Sequence, residues 1–270
     1  MSKYDYNMVA IGAGAAGLVT SYICAATKAK VALVEKHKMG GDCLNTGCVP
    51  SKALIRSAKF MKDAKNAKAL GFKNVQVEYE FADVMERIQR VIQTIEPHDS
   101  VERYTSLGVD CHTGFATIKS PHEVEVNGKI LTTRNITIAT GARPFVPPIP
   151  GVNEVEHYTS DNIWDLRKKP EHMVVLGGGP IGSELAQSFA RLDVKVTQIE
   201  RGSRIIQRED PEISEMVMER FKKEGVDILT EHNVTSLKNA NGKKVVVCEV
   251  EGKVKAVSYT HLTLPTICSV

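Results

Sequence analysis

The sequence predicts an α/β fold built from two successive parallel-sheet units, the second of them incomplete, and three features carry that expectation. The order apolar strand, glycine turn, helix, second apolar strand, closing acid occurs at Tyr6 to Glu35 and again at His172 to Glu200. Strands alternate with helix-length segments, as parallel α/β sheets require. A connector with three prolines, FVPPIPG from Phe145 to Gly151, separates the two copies and reads as a stiff boundary between domains.

The first copy begins with a short buried strand, Tyr6 to Ile11. GAGAAG follows, with Gly12, Gly14 and Gly17, and opens a helix from about Ala15 to Thr27. Val31 to Glu35 is the next strand, and its acid lies 18 residues after Gly17. A lone GxGxxG is a weak signal. Strand before, helix after and an acid at this distance make the full context of a Rossmann-like dinucleotide site. The glycines let a pyrophosphate approach the helix N-terminus, and Glu35 can accept hydrogen bonds from ribose hydroxyls. A merely solvated carboxylate at a strand end is the plainer alternative.

The next stretch, Gly40 to Lys52, reads GGDCLNTGCVPSK. Gly40, Gly41 and Gly47 permit tight backbone around Cys43 and Cys48. Pro50 suits a first helical turn, so Cys48 falls at or just before a helix N-terminus. The exposed N–H groups and the dipole there favour a thiolate. Two thiols so placed can open and close as a disulfide. A zinc pair would show two intervening residues and need a second pair, which the chain lacks. A structural buried pair is the remaining alternative.

Ala53 to Leu70 continues as a lysine-rich amphipathic helix. Phe81 to Tyr104 is a second helical region that Pro97 should divide. Val109 to Ile118, Glu123 to Val126, Lys129 to Thr132 and Asn135 to Ala139 read as strands, with Asn127-Gly128 a hairpin turn. The last of these runs into ATGARP, which holds Thr140, Gly141 and Arg143. Trp164 lies in a short helix. In the second copy GGGPIG supplies Gly177, Gly179 and Gly182, a helix spans about Pro180 to Leu192, and Lys195 to Glu200 is the strand that ends in the acid. Glu200 suits a free ribose 2′-hydroxyl and repels a 2′-phosphate, which favours NAD over NADP. Arg201 and Arg204 nearby leave NADP open. Ile205 to Lys223 reads as a charged helix with Asp210-Pro211 at a plausible start. Val226 to Leu229 and Lys244 to Val250 are strands, and Asn241-Gly242 is a turn.

From Tyr4 to Ala256, these motifs together resemble the pyridine nucleotide-disulfide oxidoreductases, the family of dihydrolipoamide dehydrogenase, glutathione reductase and mercuric reductase. The resemblance implies two Rossmann-like units, the first for FAD and the second for NAD(P). It implies an FAD domain over residues 1–150 and an NAD(P) domain over 151–256. It makes Cys43 the interchange thiol that meets substrate and Cys48 the thiolate against the flavin. Lys52 is placed near the flavin's reactive nitrogen and Glu184 is its partner near the nicotinamide. Lys36, Gly41, Asp42, Ala116, Thr140, Gly141, Arg143 and Val234 join the glycines, Glu35 and Glu200 as cofactor contacts. CLNTGC followed by PSKAL, with Glu200, leans toward dihydrolipoamide dehydrogenase; a mercuric reductase is the alternative enzyme, and an inactive nucleotide-binding fragment the alternative of another class. Implied partners are a small-molecule or protein-bound disulfide or dithiol, or mercuric ion, and a second subunit in a homodimer. Asp42 stands where many relatives have threonine, and its charge should disfavour a Cys43 thiolate. Pro180 stands where some relatives have a tyrosine gate.

After Ala256 the family pattern breaks. Val257 to Thr266, VSYTHLTLPT, resembles a translated reading frame of a transposon-type sequencing-library adapter. Val257 to Val270 is therefore expected to be foreign, with the second unit left short of its closing strands, the dimerisation domain absent and the chain itself inactive.

Composition sets the remaining bounds. The net charge is +3 with lysines and arginines dispersed, so nucleic acid is not an expected partner. No apolar run is long enough to cross a bilayer, and the N-terminus has no signal-peptide core. Six cysteines are too few for a disulfide scaffold, which suits a cytoplasmic protein whose disulfide is catalytic.

Overall fold

The structure is a computed structural model that describes residues 3–240, 243–264 and 268–269. In chain order it has β1 (Tyr6–Ile11), α1 (Ala15–Ala26), β2 (Val31–Glu35), α2 (Gly41–Asn45), α3 (Cys48–Lys65), α4 (Phe81–Ile95) and α5 (Val101–Ser106). Next come β3 (Val109–Thr113), β4 (Ala116–Ser120), β5 (Glu123–Val126), β6 (Lys129–Ile138) and β7 (Arg143–Pro144). The remainder is β8 (His172–Leu176), α6 (Pro180–Arg191), β9 (Lys195–Ile199), α7 (Pro211–Lys223), β10 (Val226–Leu229), β11 (Asn233–Ala240), β12 (Lys243–Val250), β13 (Lys253–Tyr259), β14 (His261–Thr263) and β15 (Cys268–Ser269). Two compact units divide the chain, one from Met1–Pro50 and Gln89–Ala142, the other from Ser51–Ile88 and Arg143–Ser269.

In the first unit the sheet order is β3-β2-β1-β6-β5-β4. The strands β3, β2, β1 and β6 run parallel, and β5 and β4 continue antiparallel. The first four residues of β2, VALV, are an unbroken apolar run and are buried, as a central parallel strand requires. Ala10, Leu33, Leu18 and Tyr104 form the core on one face. Val9, Ile11, Val34, Val124 and Leu131 form it on the other.

In the second unit β10-β9-β8-β14 are all parallel, and β11-β12-β13 form an antiparallel meander. The first three strands and α6 repeat the β–α–β arrangement of β1, α1 and β2. Leu185, Ala186 and Phe189 of α6 are buried. Helix α3 lies along α6 in the same direction: Lys52 meets Glu184 near the start of α6, and Lys65 Nζ meets Asp193 Oδ1 at 2.6 Å past its end. Phe81 and Phe189 bring α4 to α6, with ring centroids 6.2 Å apart. These contacts explain why Ser51–Ile88 groups with the second unit.

The proline connector also packs onto the second unit. Leu237 N donates to Pro150 O at 2.8 Å, and Val152 and Ile149 pack in the core with Leu237 and Leu262. The compact division therefore falls at Ala142/Arg143 rather than inside the connector.

Several local expectations change. The strand expected over Val109 to Ile118 is two strands, broken at Gly114, where φ is +156° and the Asn127 amide donates to Thr113 O at 2.8 Å. Lys129–Ile138 is one strand because it pairs first with β5 and then with β1. The lysine-rich helix ends at Lys65, and residues 67–70 form a separate 3-10 turn. The helix expected from Ile205 begins at Pro211, because Ile206 has φ +43° and donates its N–H to Gly178 O at 2.6 Å. At one edge of the second unit's parallel sheet β14 pairs in parallel with β8, and Tyr259, Leu262 and Leu264 are buried. The Asn241-Gly242 turn and Pro265 to Ile267 lie outside the described residues.

Candidate functional site

Both glycine turns are fastened by their own strand-end acid, and in the same way. In the first unit Glu35 Oε2 accepts from Ala13 N at 2.7 Å and Oε1 from His37 N at 2.8 Å. In the second, Glu200 Oε2 accepts from Gly178 N at 2.6 Å and Oε1 from Gly202 N at 2.7 Å. Ala13 and Gly178 hold the same position in the two turns, one residue after Gly12 and Gly177. Gly12 has φ +102° and Gly177 φ +93°, a conformation costly for any side chain. Gly17 and Gly182 allow close approach of helix to turn, since a Cβ on either would lie 1.7 or 2.6 Å from the oxygen of Gly12 or Gly177.

The helices these turns open, α1 and α6, start at Gly14 and Gly179 with no side-chain cap. Their first N–H groups are left for another acceptor, in the geometry that suits a phosphate oxygen. Gly41 has φ +55°, and a Cβ there would come within 2.5 Å of Gly14 Cα, so the cysteine segment packs directly on the first turn.

The thiols sit where helix α2 gives way to α3. Cys43 is on α2, and Cys48 is the first residue of α3. The bend between them is held by Asp42: its carbonyl accepts from Thr46 N and Gly47 N, and its carboxylate from the Thr46 hydroxyl. Asn45 Nδ2 donates to Met39 O and Gly41 O, at 3.0 and 2.8 Å. Both sulfurs are in the dithiol state. The hydrogen bond to Cys48 is the main cause that pushes the Cys43 thiol up to about 11, with burial, the Cys48 charge and Asp42 adding to it. The expected effect of Asp42 is present in direction but is the smallest of these. The Cys43 thiol therefore keeps its proton at neutral pH.

Lys52 and Glu184 are brought together within the second unit. Lys52 Nζ lies 2.8 Å from both Glu184 oxygens across 132 residues of sequence. Their side chains are 61% and 40% exposed, so the pair adds little to stability, about 0–1 kcal/mol. Glu184→Gln should therefore move the urea midpoint hardly at all. A loss above about 2 kcal/mol, larger than exposed pairs supply, would show that the pair is a structural clamp.

Of the other candidates Thr140 adjoins the first turn, its Cα 3.2 Å from the place of a Cβ on Gly12. Lys36 Nζ sits 5.4 Å from the centroid of the Phe115 ring. Ala116 packs against the first-unit core, and Val234 against the second-unit core at a register shift in β11. Thr140 and Gly141 end the first unit, whereas Arg143 begins a segment of the second. Three supporting residues have no motif to announce them. His37 N helps hold Glu35. Gln198, fully buried, donates to Gly177 O at 3.1 Å and Ser183 Oγ at 3.2 Å. Its one visible signal is an amide inside the apolar strand KVTQI. Gln207 reaches Glu200 from a loop. Among the described residues no group of three or more metal-ligating side chains is assembled, and no helix is long and apolar enough to cross a membrane.

The family model for pyridine nucleotide-disulphide oxidoreductases matches residues 6–262. The chain belongs to that family. It is 32% identical over 264 residues to a mercuric reductase of Bacillus cereus, covering 98% of this chain and 42% of that protein. It is 37% identical over 239 residues to a dihydrolipoyl dehydrogenase of Acholeplasma laidlawii, covering 87% and 70%. Among solved structures it resembles the HOCl-induced flavoprotein disulfide reductase RclA from Escherichia coli, with a TM-score of 0.83 at 27% identity over 98% of this chain and 57% of that one. The chain thus spans about half the length of several relatives it matches. Its mixed α/β architecture with parallel sheets is that of the family's nucleotide-binding units.

Proposed function

We propose that this chain carries the FAD unit, the redox thiols and the NAD(P) unit of a pyridine nucleotide-disulfide oxidoreductase of the dihydrolipoamide dehydrogenase type. One observation carries the reading. The chain has two glycine turns, each tied to a strand-end acid and each opening an uncapped helix, and a Cys43–Cys48 pair packed through Gly41 against the first. The cradles fit dinucleotides, because any Cβ at Gly12 or Gly17 would collide with the chain where a pyrophosphate would be drawn to the N–H groups of α1.

Bound FAD would supply a carrier that takes a hydride from the nicotinamide and delivers two electrons to the disulfide. The residues of the chain do the rest. Glu35 and Glu200 orient the riboses. The α1 and α6 N-termini hold the pyrophosphates. Cys48 opens α3; Cys43, its thiol pushed up to about 11, exchanges with substrate once its proton has been removed. Lys52, held by Glu184, places a positive charge that can follow developing electron density. In the reductive direction NADH and one proton convert the disulfide to two thiols, and the dithiol then passes both electrons and protons to a disulfide substrate. Glu200 favours NAD(H) over NADP(H).

A mercuric reductase is the alternative, since one from Bacillus cereus aligns with 98% of this chain. Substrate choice between lipoamide, another disulfide and mercuric ion separates the two. The test is anaerobic addition of NADH to the FAD-loaded protein. The absorbance of the oxidised flavin should bleach, and two new thiols should map to Cys43 and Cys48. Absence of flavin uptake, or new thiols at Cys24 and Cys111 instead, would defeat it.

A further inference from the structure

The two acid-fastened turns are alike except for one side chain. Glu35 accepts two backbone N–H bonds, one on each oxygen. Glu200 accepts the matching two and also a third, from Gln207 Nε2 to Oε1 at 3.1 Å. A carboxylate offers about four acceptor positions. Glu35 thus keeps one on each oxygen, enough for both hydroxyls of a ribose. On Glu200, Gly202 N and the Gln207 amide together fill Oε1, and only Oε2 keeps a position.

The Gln207 amide is held where it is by the loop. Ile206 N is pinned to Gly178 O, and Arg204 Nη2 donates to Gln207 O at 3.0 Å. Its Nε2 also occupies the space over Gly202: a Cβ on that glycine would lie 1.6 Å from it. The loop over residues 204–207 therefore folds back on the second glycine turn, and the first turn has no such side-chain donor among the described residues.

We propose that Gln207 is a positioning residue that sets nicotinamide-nucleotide specificity: its amide withdraws one acceptor of Glu200 from the adenosine ribose and so weakens selection of NADH against NADPH. The inference rests on the reading of the second unit as the NAD(P) unit. It deepens that reading by naming what tempers the acid. With the amide in place Glu200 can accept one ribose hydroxyl, and part of its negative charge is already engaged, which lessens repulsion of a 2′-phosphate. With the amide gone, a second hydroxyl bond forms and the bare charge rejects the phosphate more strongly.

The test is a pair of binding titrations, NADH and NADPH, read by nucleotide fluorescence on the full chain. Two variants remove the amide by independent routes. Gln207→Leu deletes it from an exposed side chain. Gly202→Ala leaves Gln207 intact and fills the space its amide occupies. In both, the ratio Kd(NADPH)/Kd(NADH) should rise about three- to tenfold, the worth of one hydrogen bond. The rise should vanish when Glu200→Gln is combined with Gln207→Leu, since the effect passes through Glu200. A merely structural role for Gln207 would weaken both nucleotides together and leave the ratio alone. An unchanged or lowered ratio in Gln207→Leu, in protein with wild-type circular dichroism, overturns the proposal; so does an equal rise in the combined variant. If the wild-type chain, folded by the same criterion, saturates with neither nucleotide, the NAD(P) reading of the unit fails, and the Gln207 proposal with it.

Discussion

Cys48→Ala should leave the chain unable to form its redox disulfide and should make Cys43 the more readily ionised thiol. The two effects have one origin. In the dithiol state the hydrogen bond and charge of Cys48 are the first and third causes that raise Cys43 to about 11. Burial and Asp42 survive the substitution, so Cys43 should fall part of the way toward an ordinary thiol. A raised value means that at pH 8 the proton stays on, and alkylation in the wild type should reach half its plateau only at a pH of about 11. The linked stability has the same sign: the folded state's firmer hold on this proton contributes fully below the ordinary thiol value and is lost as pH rises through the raised one. In Cys48→Ala the alkylation curve should shift to lower pH, with a severalfold faster rate at pH 8. Asp42→Asn should shift it in the same direction by less, because Asp42 is the smallest of the raising causes. Iodoacetamide rates across pH, with the modified peptide mapped to Cys43, measure this. Coincident curves for wild type and Cys48→Ala would show that Cys48 does not raise the Cys43 thiol. In FAD-loaded protein Cys48→Ser should also abolish the long-wavelength thiolate–flavin band, whereas Cys43→Ser should keep it.

The parts that could be read in the sequence are those whose physics is local. Tyr6–Ile11, Val31–Glu35 and His172–Leu176 are strands as expected because each is a short apolar run ending at a glycine turn or an acid. Pro97 divides the helical region as its missing N–H requires, with α4 ending at Ile95 and α5 beginning at Val101. Asn127 and Gly128 turn with φ of +50° and +79°, as a two-residue hairpin demands. The parts that could not be read depend on distant partners. Ile205 and Ile206 carry apolar periodicity that suits a helix, yet Gly178 takes the Ile206 N–H and the helix waits for Pro211. The acids were expected to face a ribose. That each also clamps its own turn depends on the backbone of Ala13 and Gly178, which no residue identity reveals. Gln207 was invisible for the same reason. The Lys52–Glu184 pair came from family resemblance alone, since 132 residues separate the partners.

Gly17→Ala should destabilise the first unit severely, and the glycines of the same motif should rank by their surroundings rather than by their place in it. The added methyl carbon on Gly17 would lie 1.7 Å from Gly12 O and 3.0 Å from Gly12 C, both backbone atoms of a turn already fixed by Glu35. Helix α1 would have to lift off the turn, exposing Leu18 and Ala13 from the core they share with Leu33 and Tyr104. The loss should be roughly 3–5 kcal/mol, the range reached when packing and backbone are disrupted together, and the thermal midpoint should fall by about 10 °C in a chain of this size. Gly182→Ala meets Gly177 O at 2.6 Å and should cost less. Gly14→Ala meets nothing nearer than Gly41 Cα at 3.8 Å, and its φ of −80° suits any residue. Its stability should change by no more than about 0.5 kcal/mol. Its methyl group nevertheless stands at the uncapped start of α1, where a pyrophosphate would approach, so FAD affinity should drop while the melt is kept. Melting curves and flavin titrations on the three variants separate these roles. A wild-type melt for Gly17→Ala would show that the turn and α1 are not packed as described, and full FAD affinity in Gly14→Ala would remove the pyrophosphate from the α1 N-terminus.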